Sequence, residues 1–414
     1  MRNFRNSLLL AGALLLPAAL AADFELEDQV LLTDIDPTTN NGRLGRAVAI
    51  GDDLVVMGAP EKTGGGAAYL FEVTSGRMLS FVREFDPQSS PSRYGGSLVI
   101  DGDWLAIGNA SDDDPIELYE RSGNDFVLRK VLQPPVVVGI TIRGFGAAMD
   151  LDGDLLIVGD ASANVGIVGN AGAVLIFRRD LGGPNNWGLE AALTDDPPAS
   201  GNSYGSAVAI GTDVAVVGDD SLERAVLYRR ISGQWSSDGL LAPQVLQAGD
   251  NFGGSVAAEG DIIAVGATNG NNANTPTNSG SVHIFERNQG GPNNFGQVAE
   301  VVGSQAEFID EFGDNIRLRG GVLAVGSPGA NRAYLFAPGA AGWSEVAVVA
   351  PPAVAFRNAE FGSAVDFFGG SLAVGADTWD DTSTSDRYGA VFLFENPIYI
   401  RCGTFDAIFC DGFE

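Results

Sequence analysis

Short alternating apolar runs recur along this chain at a fixed distance from paired glycines. Residues 94–110, YGGSLVIDGDWLAIGNA, show the unit: an aromatic and a glycine, an alternating run, the turn Asp101-Gly102-Asp103, then an almost continuous apolar run ending in Gly108. Alternation of period two predicts a half-buried strand, a continuous run predicts a strand covered on both faces, and Asp-Gly is a favoured hairpin turn. The segment therefore predicts a hairpin. It begins again at Leu44-Gly45, Phe145-Gly146, Tyr204-Gly205, Phe252-Gly253, Phe312-Gly313 and Phe361-Gly362. In all seven copies the second glycine follows the first at one unvarying interval, at Gly58, Gly108, Gly159, Gly218, Gly266, Gly326 and Gly375.

A loop of variable length follows each second glycine, and then a third apolar run carrying an aromatic: Phe71, Tyr119, Phe177, Tyr228, Phe285, Phe336 or Phe394. A fourth, more polar run comes next, for example residues 126–132 and 297–302. Four strands per unit, with landmark glycines recurring at the spacing of propeller blades, predict an all-β, seven-bladed propeller of antiparallel four-stranded blades over residues 22–396. Small residues fill strands one and two, as wedge-shaped blades require near the axis, and the aromatics of strand three fill the wider gaps. The run at residues 24–32 has no unit of its own, while the seventh unit lacks a fourth strand. The N-terminal strand is expected to close the ring there, which removes two exposed sheet edges.

The termini lie outside this pattern. Arg2 and Arg5 precede an apolar run ending in Ala19-Leu20-Ala21, so residues 1–21 predict a secretory signal peptide and a secreted or extracytoplasmic location in the periplasm or at the cell surface. Residues 397–414 form a tail whose Cys402 and Cys410 are expected to pair as a disulfide in an oxidising compartment. No run is long and apolar enough to predict a membrane-spanning helix. The chain carries a net charge of −29, which argues against nucleic acid and anionic lipid as partners and favours solubility.

The aromatic-Gly opening and the Gly58-Ala59-Pro60 ending resemble the FG-GAP repeat of integrin alpha-subunit heads, with Phe361-Gly362-Ser363-Ala364-Val365 a second clear copy. The resemblance covers nearly all of the chain after the leader. It implies a propeller scaffold and, by analogy, adhesion or binding of an extracellular protein or glycan. Many members carry a calcium loop between strands one and two. Here that place holds only short turns such as Gly51-Asp52-Asp53, Asp152-Gly153-Asp154 and Arg319-Gly320-Gly321, too few oxygens to surround calcium. The chain resembles the short-turn bacterial variety, with no cofactor expected beyond calcium held weakly at the surface.

Binding chemistry is expected on the face formed by the 2-3 and 4-1 loops, where length varies most. The candidates are Asp112, Asp113 and Asp114 in one loop, and Asp377, Trp379, Asp380 and Asp381 in another. No catalytic or metal-ligating residues are assigned. The single histidine, His283, stands where other units have Tyr69, Leu175, Tyr334 and Phe392, so it reads as a packing residue. Gly182-Gly183-Pro184-Asn185-Asn186 and Gly290-Gly291-Pro292-Asn293-Asn294 lack the lysine of a phosphate loop and read as hairpin loops. The rival to a binding propeller is a carbohydrate-active enzyme using carboxylates at the mouth of the central channel, and a third reading is a purely structural surface component.

Overall fold

The computed structural model describes residues 24–36, 41–87, 93–109, 114–270, 278–352, 359–380 and 387–396. The leader, the tail, and with them Cys402 and Cys410 lie outside the described residues. Seven four-stranded antiparallel sheets form the molecule, six of them running in simple chain order. The first blade consists of Ala47–Gly51, Leu54–Ala59, Ala67–Val73 and Leu79–Phe85. The seventh consists of Phe361–Phe368, Ser371–Ala376, Ala390–Glu395 and, on its outer edge, Glu25–Leu31. That last strand pairs antiparallel from Glu25 opposite Glu395 to Leu31 opposite Ala390, with a register shift between Leu26 and Asp28, so the ring closes as the sequence predicts. Arg77 of the first blade reaches Glu27 at 2.8 Å and Glu395 at 3.4 Å, joining the closing sheet to its neighbour.

The apolar interior is divided into seven clusters, each shared by two adjacent blades. Every blade is thus held by the neighbour on each side. The aromatics that open the units are at most 1% exposed and meet the strand-three aromatics edge to face, for example Phe145 with Phe177 at 6.0 Å and Phe361 with Phe394 at 6.0 Å. Such edge-to-face pairs suit the ring quadrupoles and add to area burial. In two blades the pairs are tyrosines, with Tyr204 and Tyr228 hydroxyls 2.6 Å apart.

The constant interval between paired glycines has a steric origin. Each first glycine of a unit has φ between +82° and +100°, a region L side chains rarely adopt. Its carbonyl oxygen then points at the second glycine of the preceding blade. A Cβ on Gly58 would lie 1.9 Å from the oxygen of Gly95, one on Gly159 2.0 Å from that of Gly205, and one on Gly326 2.0 Å from that of Gly362. A further contact of the same kind closes the circle, since a Cβ on Gly375 would lie 2.0 Å from the oxygen of Gly45. A third glycine missed by the sequence reading joins this seam: Gly66, Gly280 and Gly389, ahead of third strands, bridge in parallel to Tyr94, Phe312 and Leu44 of the next blade.

The short turns form a second ring of contacts on the opposite side. Asp101 accepts the Gly153 N–H of the next blade's turn at 2.8 Å, and Glu259 accepts those of Gly320 and Gly321 at 2.7 and 2.9 Å. Asp53 pairs with Arg121 of the following blade, and Asp213 with Arg287. The turn carboxylates therefore link neighbouring blades.

Two outcomes test this architecture. Gly326→Ala should cost about 3 kcal/mol in urea titration because its Cβ meets backbone that cannot yield. Gly76→Ala, whose Cβ meets nothing closer than 3.8 Å, should stay within about 0.5 kcal/mol of the parent. Gly270, a loop position by sequence, is no control: it is buried, and a Cβ there would lie 2.5 Å from the Ser281 hydroxyl. Removing residues 24–31 should lower the melting temperature by on the order of 10 °C and produce association through the exposed edge of Ala390–Glu395. An unchanged, monomeric melt in size-exclusion chromatography would refute the closure.

Candidate functional site: the central well

The first strands of all seven blades surround the axis and leave a well of about 380 Å³. Their starts lie beside the 4-1 loops, so the well opens on the face made by the 2-3 and 4-1 loops. Its rim carries Arg46, Ser206, Asp314 and Ser363, and its wall is a band of Val48, Leu98, Met149, Val208, Val256, Ile316 and Val365. Below lies a recess of about 60 Å³ toward the turn side. Asp150 and Arg317 line both spaces and thus form the partition between them.

That partition is a buried ion cluster. Arg317 meets Asp150 at 2.7 Å and Asp366 at 3.3 Å. The carboxylates are fixed in turn by backbone, Asp150 accepting the Ile210 N–H and Asp366 that of Ile50, both at 2.9 Å. Burial works to lower the Arg317 pKa, but the Asp150 and Asp366 charges more than reverse it, so the guanidinium is held charged. One layer down, Arg319 donates to the carbonyls of Ile50 at 2.7 Å and Ile100 at 2.5 Å. Blade six thereby reaches across the axis to blades one, two, three and seven. Asp150, Arg317 and Asp366 occupy the same place in their units, shortly after the first glycine, where other blades have Ala49, Val99, Ala209 and Ala257. Charge at an otherwise small, axial position was the signal available in the sequence, and the sequence reading passed over it.

A second ionic group occupies the rim where blades six, seven and one meet. Arg43 contacts Asp377 at 2.6 Å, Glu360 at 3.5 Å and Glu61 at 3.7 Å, and Arg46 lies 3.6 Å from Asp377. Desolvation and a hydrogen bond with Asp377 push the Glu360 carboxyl up to about 7, against the pull of Arg43. Asp314 is also raised, by desolvation first and then by the Glu311 carboxylate.

Asp377 and Trp379, expected on a binding loop, have buried side chains: Asp377 lies in this ionic group, and the Trp379 ring packs on Phe392 at 5.0 Å. Asp380 and Asp114 are half-buried. Asp112, Asp113 and Asp381 lie outside the described residues. His283 is 3% exposed, touches Ser281 and Gln297, and packs edge-on against Phe252. Desolvation drives its pKa down to about 4, so it is neutral at pH 7. In both glycine-rich loops the asparagines bind their own loop, Asn186 donating to the Leu181 carbonyl and Asn294 to that of Gln289, as hairpin loops do.

The FG-GAP repeat family model matches residues 235–285, which span the outer strand of blade four and three strands of blade five. Seven units of that form make up the ring. The chain is a seven-bladed propeller that carries an FG-GAP repeat. No curated protein matches it. A crystal structure of a protein from Lactobacillus plantarum is similar to this propeller at a TM-score of 0.48 and 13% identity, over 73% of this chain and 87% of that one. Among the described residues of the propeller no helix is long and apolar enough to cross a membrane, and no group of three or more acidic, histidine or cysteine side chains is arranged to hold a metal ion.

Arg317→Met should destabilise the propeller by about 3–5 kcal/mol, because buried Asp150 loses its counter-charge and Asp366 keeps only Arg319, at 3.8 Å. Adding Asp150→Asn and Asp366→Asn should recover a good part of the loss. Equal urea midpoints for the parent and the single variant would refute the structural role of the cluster.

Proposed function

We propose that this FG-GAP propeller is an exported, non-catalytic binding protein that recognises an extracellular protein or glycan with the face of its 2-3 and 4-1 loops. The observation that carries this reading is the unequal axis: the larger well lies among the variable loops, while Arg317 and Asp150 partition it from a much smaller recess on the turn side. Short turns bonded blade to blade leave little adaptable surface on the turn side. The loop face carries the differences between units, which is where a rigid scaffold places recognition.

The rival enzymatic reading has weaker support. Asp150 and Asp366, the deepest carboxylates of the well, are neutralised by Arg317 and tied to backbone N–H groups. Both carboxylates are engaged in ion pairs, Asp150 with Arg317 and Asp366 with Arg317 and, at 3.8 Å, Arg319, whereas a glycosidase needs a free carboxylate beside its general acid. In the proposed role the protein uses no cofactor.

The test is a glycan array and a panel of purified extracellular matrix and envelope proteins, probed with the parent, with Ala147→Trp and Ser206→Trp at the rim, and with Asp103→Lys on the turn side. Rim variants should weaken binding roughly tenfold or more while Asp103→Lys leaves it unchanged. Hydrolysis of polysaccharides by the parent, or binding lost only with Asp103→Lys, would overturn the proposal.

A further inference from the structure

The loop face is not uniform. Val136, Val138 and Ile167 are fully exposed, at 101%, 100% and 104%. They stand on a small two-stranded ribbon in which Ile140–Thr141, from the loop entering blade three, pairs with Asn164–Val165, from that blade's 2-3 loop. The ribbon is built, not loose. Gly166 N–H donates to the Gly139 carbonyl at 2.7 Å, Val165 and Val168 exchange bonds at 3.0 Å, and Val137 and Ile142 pack into the cluster between blades two and three. Burial of this ribbon's base is what holds its three apolar tips in water.

More apolar tips follow round the same face. Leu222 on the 2-3 loop of blade four, Val245 on the loop entering blade five, and Phe308 and Ile309 on the loop entering blade six are 47%, 61%, 62% and 50% exposed. Four successive blades thus raise large apolar side chains on one side of the well. In the 2-3 and 4-1 loops between residues 133 and 331 the basic residue is Arg143; Arg224 and Arg332, which open third strands on the same face, are engaged by Asp195 and Asp219 and by Gln305, while Asp196, Glu223, Glu307, Glu311 and Asp314 lie in the loops themselves. The arc is apolar within an acidic surround.

We infer that this arc, on blades three to six, is a docking surface for a partner protein that presents an apolar patch rimmed by basic residues. The inference rests on the binding role proposed above and narrows its ligand to protein. Glycans are gripped chiefly by aromatic platforms and polar groups, and the arc offers aliphatic tips with a single aromatic. A bilayer fits poorly, because interfacial anchors pair apolar residues with Lys and Arg, and these loops offer carboxylates instead. A second copy would bring acidic loops against acidic loops. A basic-rimmed protein surface meets all three demands, and tips already held in place lose little entropy on binding.

The test selects binders from a random peptide library displayed on phage, using the parent protein as bait, and measures synthetic copies of the selected peptides by fluorescence anisotropy. Selected peptides should combine apolar and basic residues and bind Val138→Asp and Phe308→Asp at least about tenfold more weakly, with melting temperatures unchanged. Val298→Asp, on the outer strand of blade five, should bind like the parent. Failure to select peptides, or peptides indifferent to both arc variants, overturns the inference. So does loss with Val138→Asp of glycan binding, of co-sedimentation with phosphatidylcholine vesicles, or of a dimer seen by sedimentation velocity. Glycan binding that responds to the rim tryptophans but not to the arc variants would leave the binding role standing and remove only the protein ligand.

Discussion

A carbonyl oxygen resting against a glycine of the preceding blade, repeated seven times, sets the geometry of this molecule. The oxygen belongs to a glycine at positive φ, and the surface that receives it has no room for a methyl group. Because both glycines sit at one interval in each unit, every blade meets the next at the same height. The aromatic beside the first glycine is carried to the same depth in each gap, and the apolar clusters follow from that alignment. Seven clusters of moderate size, each requiring two blades, make stability a property of the closed circle.

The axis is where the repeat stops being uniform. Small residues at the inner positions of most blades leave space, and three blades fill part of it with Asp150, Arg317 and Asp366. A buried ion cluster contributes little net stability when compared with apolar packing, yet it is intolerant of losing one member. Here it also creates sidedness, since it divides the axis into a larger well on the loop side and a smaller recess on the turn side. In a chain of net charge −29, placing scarce arginines at the axis concentrates counter-charge where carboxylates are least hydrated.

Much of the fold was legible because it rests on local rules that repeat: alternation, Asp-Gly turns, glycine spacing and the unmatched run at the N-terminus. The closing strand could be placed because a missing fourth strand and a spare one are complementary facts. The site was far less legible. Asp377 and Trp379 lie in the variable loop where the sequence puts them, yet long-range packing draws both side chains inward, to Arg43 and to Phe392. Asp150 and Asp366 belong to blades three and seven, far apart in sequence, and share Arg317 only because the ring brings inner strands together. The exposed ribbon was hidden for the opposite reason, since the Val-Val-Val of residues 136–138 looks in sequence like buried strand.

The position of the strand Glu25–Leu31 bears on how the molecule is made. It is the earliest propeller element to be synthesised, and its pairing partner, Ala390–Glu395, is the latest. During translation the intervening blades can assemble by neighbour contacts alone, while the first strand stays unpaired with its ladder groups open to other chains. Completion of the circle then waits on a contact of very long sequence separation, made only when the whole chain is available. Until that moment the nascent molecule is an open arc with two unsatisfied ends, and protection of the first strand falls to whatever cellular factors accompany it.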